Sequence, residues 1–143
     1  MSEVFIVGFD GTEPGRRAGF FGAKRALGEG ASVHVVHVLE WSPYSFLTVE
    51  ELAERHKRRN EEVARAESVV LPFCQELEAT GVKVTYEIRY GHAGALLCQI
   101  AEEKKACQII VGRQGSSAFS QRLLGGLAIT LAQGAPVPVT IVP

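Results

Sequence analysis

The sequence predicts an α/β domain: five parallel strands in one sheet, with helices covering both faces to give a three-layer sandwich. Three observations predict it. Apolar runs of strand length alternate with longer amphipathic stretches along the whole chain; strands that alternate with helices pair in parallel, because parallel neighbours need a long right-handed crossover. Those runs are near-continuously apolar, as strands buried on both faces are. Finally, 143 residues, 46% hydrophobic and 22% charged, suit one domain over residues 1–143, able to bury roughly 70% of its unfolded surface without disulfide or metal staples.

The first strand is expected over residues 4–9, VFIVGF. Gly11-Thr12-Glu13-Pro14 breaks it and opens a helix, with Thr12 able to cap and Pro14 suited to a first turn. That helix stops at Gly28-Glu29-Gly30, and residues 32–39, SVHVVHVL, form the second strand. A loop bearing Trp41, Tyr44 and Phe46 follows, an apolar cluster expected to pack on the next helix. This long charged helix over residues 48–79 shows a stripe of Ala53, Val63, Ala66, Val70, Leu71, Phe73 and Leu77, and Pro72 is expected to kink or divide it. The third strand, 82–89, alternates enough to lie near an edge. Gly91-His92-Ala93 starts a helix carrying Leu96, Leu97, Ile100 and Ala101 inward, and the fourth strand covers 107–111. After a loop rich in Gly and Ser come a helix from about residue 122 to 133 and a last strand over 137–142.

Bulk properties exclude several functions. A net charge of −1 and a pI near 6.4 leave no basic face for nucleic acid or an anionic membrane. Cys74, Cys98 and Cys107 make no CxxC pair and no zinc spacing, which fits a reducing compartment. The first residues lack the basic segment and apolar run of a secretory signal, and no apolar run approaches the ~20 residues that cross a bilayer. A cytoplasmic location is the expectation. His34, His37, His56 and His92 show no ligand spacing with a third donor, so no metal site is expected.

Open parallel sheets bind ligands beyond the carboxyl ends of their strands, where the strand order reverses. Two strand ends therefore matter. Gly112-Arg113-Gln114-Gly115 closes strand four, and nine residues further stand Gly125 and Gly126, where the next helical pattern sets in. A strand, a glycine loop and a helix N-terminus can hold an anion on free backbone N–H groups. Ser116, Ser117, Ser120 and Arg122 add hydroxyl donors and a positive charge. Asp10, the sole aspartate among 16 acidic residues, ends strand one, with Gly8 two positions before it. Its carboxylate can accept from an adenine amino group or a ribose hydroxyl, or it can simply close an Asx turn in Asp10-Gly11-Thr12. A phosphoacceptor receiver would want acidic neighbours around that aspartate, and a flavodoxin a Ser/Thr-rich loop where GTEPGRR stands.

Taken together, these segments resemble the universal stress protein family. VGFDGT looks like its first strand end, and VHVL at residues 36–39 is similar to its second strand. IIVGRQG followed by nine residues and GG resembles its nucleotide signature, Gly-x-x-Gly-x9-Gly-Ser/Thr, with Gly126 in place of the Ser/Thr, and APVPVTIV its closing strand. The resemblance implies an adenine-nucleotide α-hydrolase-like sheet in order 3-2-1-4-5, binding of ATP or another adenine nucleotide, usually with Mg²⁺, and a role in stress response. It further implies that Gly8 and Asp10 meet the adenosine and that the Val38 backbone flanks adenine. Gly112, Arg113 and Gly115 would shape the ribose and phosphate side, and Gly125, Gly126 and Leu127 would cradle phosphates. It also implies a homodimer through the last strand. With one Asp, no Ser-His-Asp or Cys-His arrangement and no Gly-x-x-x-x-Gly-Lys-Ser/Thr loop, the residues provide for regulatory binding without efficient catalysis. A slow ATP-hydrolysing relative and a ligand-free interaction module acting through its dimer strand are the alternatives.

Overall fold

The structure, a computed structural model, describes residues 3–40, 48–113 and 125–143. Within them the chain runs β1 (Val4–Gly8), α1 (Glu13–Glu29), β2 (Ser32–Leu39), α2 (Val49–Glu78), β3 (Val84–Tyr90), α3 (Ala93–Glu103), β4 (Gln108–Gly112), α4 (Gly126–Gly134) and β5 (Val139–Val142). The strands form one sheet in order β3-β2-β1-β4-β5, and every pairing is parallel. Trp41, Tyr44 and Phe46 lie outside the described residues, as do Gly115 and the loop's serines and Arg122.

Two cores explain the apolar runs. On one face Phe5, Val7, Val33 and Val35 pack with Val70, Phe73 and Leu77 of α2 and the small residues of α1. On the other, Ile6, Val36, Ile109 and Val111 pack with Leu97 and Ile100 of α3 and Leu131 of α4. Side chains two apart share a face, so β1, β2, β4 and β5 supply both layers, while β3 gives Val84 and Ile88 to the first alone. The α1 helix comes close enough for this only because it is small: a Cβ at Gly19 would stand 2.2 Å from Phe73 Cζ. Phe73 in turn stacks on Phe9, with ring centroids 4.0 Å apart.

Most element ends differ from the sequence expectation by one or two residues, for traceable reasons; α4 is the exception, beginning at Gly126 rather than about residue 122, because the Gly125 amide goes to the Arg113 carbonyl at 2.8 Å before the helix opens. β5 begins at Val139 rather than 137 because Pro138 has no N–H to give; it joins the ladder only by accepting from Ile109 N at 2.9 Å. β3 begins at Val84, after the Lys83 carbonyl has accepted from Val33 N–H at 2.9 Å. Pro72 does not divide α2, which continues for 30 residues. Its burial of Val70, Phe73, Cys74 and Leu77 flanks the proline on both sides and offsets the missing backbone bond. Of the expected stripe, Leu71 is 39% exposed, and Ala53 is exposed too.

One buried polar group needs an account. His34, 3% exposed, accepts from the Thr85 hydroxyl at Nδ1 (2.7 Å) and donates from Nε2 to Glu87 (2.6 Å). Burial pushes its pKa down, and Lys104 and Arg89 add to this against the opposing pull of Glu87. Glu87 also pairs with Arg89, which reaches Glu103 of α3 at 3.2 Å. The histidine is thus a satisfied core residue joining the outer strand to its neighbour.

Candidate functional site

The strand order reverses between β1 and β4, whose neighbours lie on opposite sides. At their carboxyl ends a crevice of about 270 Å³ opens, where such sheets bind ligands. Its floor is apolar, from Val36, Val38, Leu97 and Val111. Of the residues singled out in the sequence, Gly8, Asp10, Val38, Gly112, Arg113, Gly125, Gly126 and Leu127 all line it; Gly115 lies outside the described residues.

Each position has a local cause. Gly112 ends β4 where α1 begins: a Cβ there would stand 2.9 Å from the Pro14 carbonyl carbon, its oxygen and its Cβ. Gly8 sits between Val111 Cγ1 and Leu97 Cδ1, which a Cβ would approach to 3.1 and 3.3 Å. The last main-chain bond between β1 and β2 runs from Phe9 N–H to Val36 O, at 3.0 Å. Val38, two residues further with the same backbone orientation, therefore has no β1 partner, and its N–H and C=O face the gap. His37 fixes the tip by donating from Nδ1 to Phe9 O at 2.8 Å.

Asp10 is exposed and does close an Asx turn. Its Oδ1 accepts from Thr12 N at 3.0 Å and from the Thr12 hydroxyl. The turn and a place on the crevice wall coexist in the one residue. Arg113 is held by its main chain, its N–H donating to Val142 O and its carbonyl accepting from Gly125 N, both at 2.8 Å. Its Nε is buried and has no hydrogen-bond partner among the described residues, an unmet donor on a charged group.

The helix starts separate one element from the rest. Thr12 caps α1, accepting from Gly15 N; Thr48 closes a capping box on α2; His92 caps α3. The α4 helix starts at Gly125-Gly126 with no side-chain cap, so among the described residues no side chain takes up its first amides, and its positive dipole end lies at the crevice. An apolar slot, an uncapped helix start and an arginine whose Nε is unpaired together suit a flat apolar base joined to an anionic group.

The family profile for universal stress proteins matches residues 1–143. The chain belongs to the universal stress protein family. A Thermus aquaticus member named for its place in the QAH/OAS sulfhydrylase 3′ region is 28% identical over 144 residues, covering 99% of each chain. The structure of UspA from Lactobacillus plantarum superposes with a TM-score of 0.86 at 17% identity, over 99% of this chain and 97% of that one. A family structure from Archaeoglobus fulgidus, in complex with dAMP, gives 0.69 at 16% identity over 100% and 98%. These structures share the five-stranded parallel sheet in order 3-2-1-4-5.

The sequence reading missed one acidic residue of the crevice. Glu40 lines it, as Asp10 does, directly after the last residue of β2. The strand-tip rule that found Asp10 and Gly112 would have found Glu40 had it been applied to the second strand. Among the described residues, no three His, Cys, Asp or Glu side chains come together to hold a metal ion, and no helix is long and apolar enough to cross a membrane.

Proposed function

We propose that the protein binds an adenine nucleotide, ATP, ADP or AMP, in the strand-tip crevice and acts by occupancy, as a stress-response regulator in the cytoplasm. The observation that carries this is the α4 start, uncapped, in the same crevice as Arg113, whose Nε is unpartnered among the described residues. The residues fit the ligand in three parts. Adenine fits the apolar slot, with Val38 presenting its main chain. Ribose meets Asp10 and the side-chain-free tip at Gly8, and phosphates meet Gly112, Arg113, Gly115 and the amides of Gly125, Gly126 and Leu127. The relative that takes dAMP supports the same ligand class.

Asp10 and Glu40 are the carboxylates on the crevice wall. Mg²⁺ prefers to keep several waters and to ride on phosphates, so the ion would arrive with ATP. One of Asp10's oxygens is committed to its turn, which supports binding without efficient hydrolysis. β5 is an edge strand paired only to β4, and all four of its residues are half-buried. This supports a homodimer formed through that edge, to be read as twice the chain mass by light scattering.

The test is titration calorimetry with ATP, ADP and AMP, with and without Mg²⁺, on protein stripped of co-purified ligand. Binding with one site per chain is expected. No heat up to about 1 mM ligand, where binding is worth only about 4 kcal/mol, removes the reading.

A further inference from the structure

The crevice does not end at Gly126. A second chamber of about 280 Å³ lies between the starts of α3 and α4, lined by His92, Gly94 and Thr130 and sharing Glu40, Ala93, Gly126 and Leu127 with the first. Gly126 is one of the four residues the two share. A Cβ built there meets nothing within 4 Å, so no side chain at this residue divides the chambers. Each chamber alone falls just short of the roughly 300 Å³ at which ligand pockets begin, and joined they clear it.

The polar groups of the second chamber select the chemistry. His92 Nδ1 accepts the Ala95 N–H at 3.4 Å, which leaves the proton of the neutral ring on Nε2 as a donor. Thr130 gives its hydroxyl proton to Gly126 O at 2.9 Å, leaving lone pairs to accept. Glu40 adds a carboxylate. Hydroxyl groups both donate and accept, so they satisfy all three, whereas a further phosphate would face the Glu40 charge. Between the chambers stand the open amides of α4, suited to a diphosphate.

The geometry points to an ADP-sugar, adenosine diphosphate carrying a hydroxylated group on its β-phosphate, as the ligand of the joined crevice. Adenosine occupies the first chamber and the diphosphate lies across the start of α4. The sugar hydroxyls meet Glu40, His92 and Thr130. This rests on the nucleotide reading given above and extends it to a ligand class.

Calorimetry with ADP-ribose, ADP and ATP tests it. The wild-type chain should bind ADP-ribose at least about tenfold more tightly than ADP, a difference of about 1.4 kcal/mol, and ATP should gain no such advantage. His92→Asn keeps a capping acceptor while withdrawing the Nε2 donor, and Thr130→Trp fills the chamber. In each, the ratio should fall to within about threefold of one, under ~0.7 kcal/mol. If the wild type binds ADP as tightly as ADP-ribose, or if the preference survives both variants, the inference is overturned and the nucleotide reading stands. If none of the three ligands binds, both are overturned.

Discussion

Replacing Gly112 with alanine should destabilise the fold, whereas the same change at Gly126 should not. The Gly112 Cβ would sit 2.9 Å from three atoms of Pro14, its carbonyl carbon, its oxygen and its Cβ. Contacts between carbons settle at about 3.5–4.0 Å, so the first turn of α1 must retreat from the end of β4 by at least ~0.5 Å. Proline cannot swing aside, and two of the three atoms are backbone, so no rotamer relieves the contact. The retreat also loosens the packing of Gly22 over Ile110 and Val7, where a Cβ would already be within 3.1 Å. Overpacking of this kind costs about 1–3 kcal/mol, and the backbone contact places Gly112→Ala in the upper half of that range. At Gly126 nothing lies within 4 Å and φ is ordinary, so alanine should be neutral or stabilise by up to about 1 kcal/mol. The two variants should therefore differ by about 2 kcal/mol or more, roughly 6 °C in Tm for a domain of this size. Urea denaturation at pH 7 on ligand-free protein is the assay, since bound nucleotide would raise both midpoints. Gly112→Ala within about 0.5 kcal/mol of wild type would refute the reasoning, because it would mean that α1 and β4 are not in the contact described.

Three further outcomes are expected. Arg113→Met should weaken AMP and ATP by about tenfold or more, the worth of a charged hydrogen bond, while adenosine is bound as before and apo stability is unchanged or higher because the orphaned Nε is gone; calorimetry and thermal melts check both arms. Asp10→Asn preserves the acceptor of the Thr12 turn and should keep stability within about 0.5 kcal/mol, whereas Asp10→Ala should lose about 1 kcal/mol, measured by urea denaturation. His34 is held neutral by burial, its pKa below the usual value, while the unfolded chain titrates near ~6.5. Its contribution is therefore full above about pH 6.5 and is lost as pH falls towards the folded pKa, at up to about 1.4 kcal/mol per pH unit. Urea stability from pH 8 to 5 should show that slope in the wild type and lose it in His34→Gln.

The layers of the fold were legible because burial on both faces leaves a plain mark: VFIVG and SVHVVHVL have no room for a solvent face. Strand ends were less so, because they depend on partners. Nothing local at Val137 says that Pro138 will accept from Ile109 and that the ladder starts only after it. Pro72 misled for a related reason: the helix rule counts a lost hydrogen bond, but Val70, Phe73 and Leu77 hold the helix down on both sides. The site was legible where chemistry and spacing are both unusual, as at Asp10 and the glycines. It was illegible where an ordinary residue gains its place from the sheet. Glu40 reads as one more acid before a loop, and only the tertiary structure brings it to the same crevice as Asp10. Arg113 was placed in sequence by its motif position, but the buried, unpartnered state of its Nε belongs to the tertiary structure alone.

The two bonds made by the Arg113 peptide have a consequence for how this scaffold can drift. Its N–H goes to Val142 at the outer rim of the sheet, and its carbonyl takes the Gly125 amide where the chain enters α4. Both links are main chain, so they persist whichever side chains surround them. Ligand chemistry can be rewritten residue by residue, while the joint between the rim and the helix entry passes unaltered from one sequence to the next.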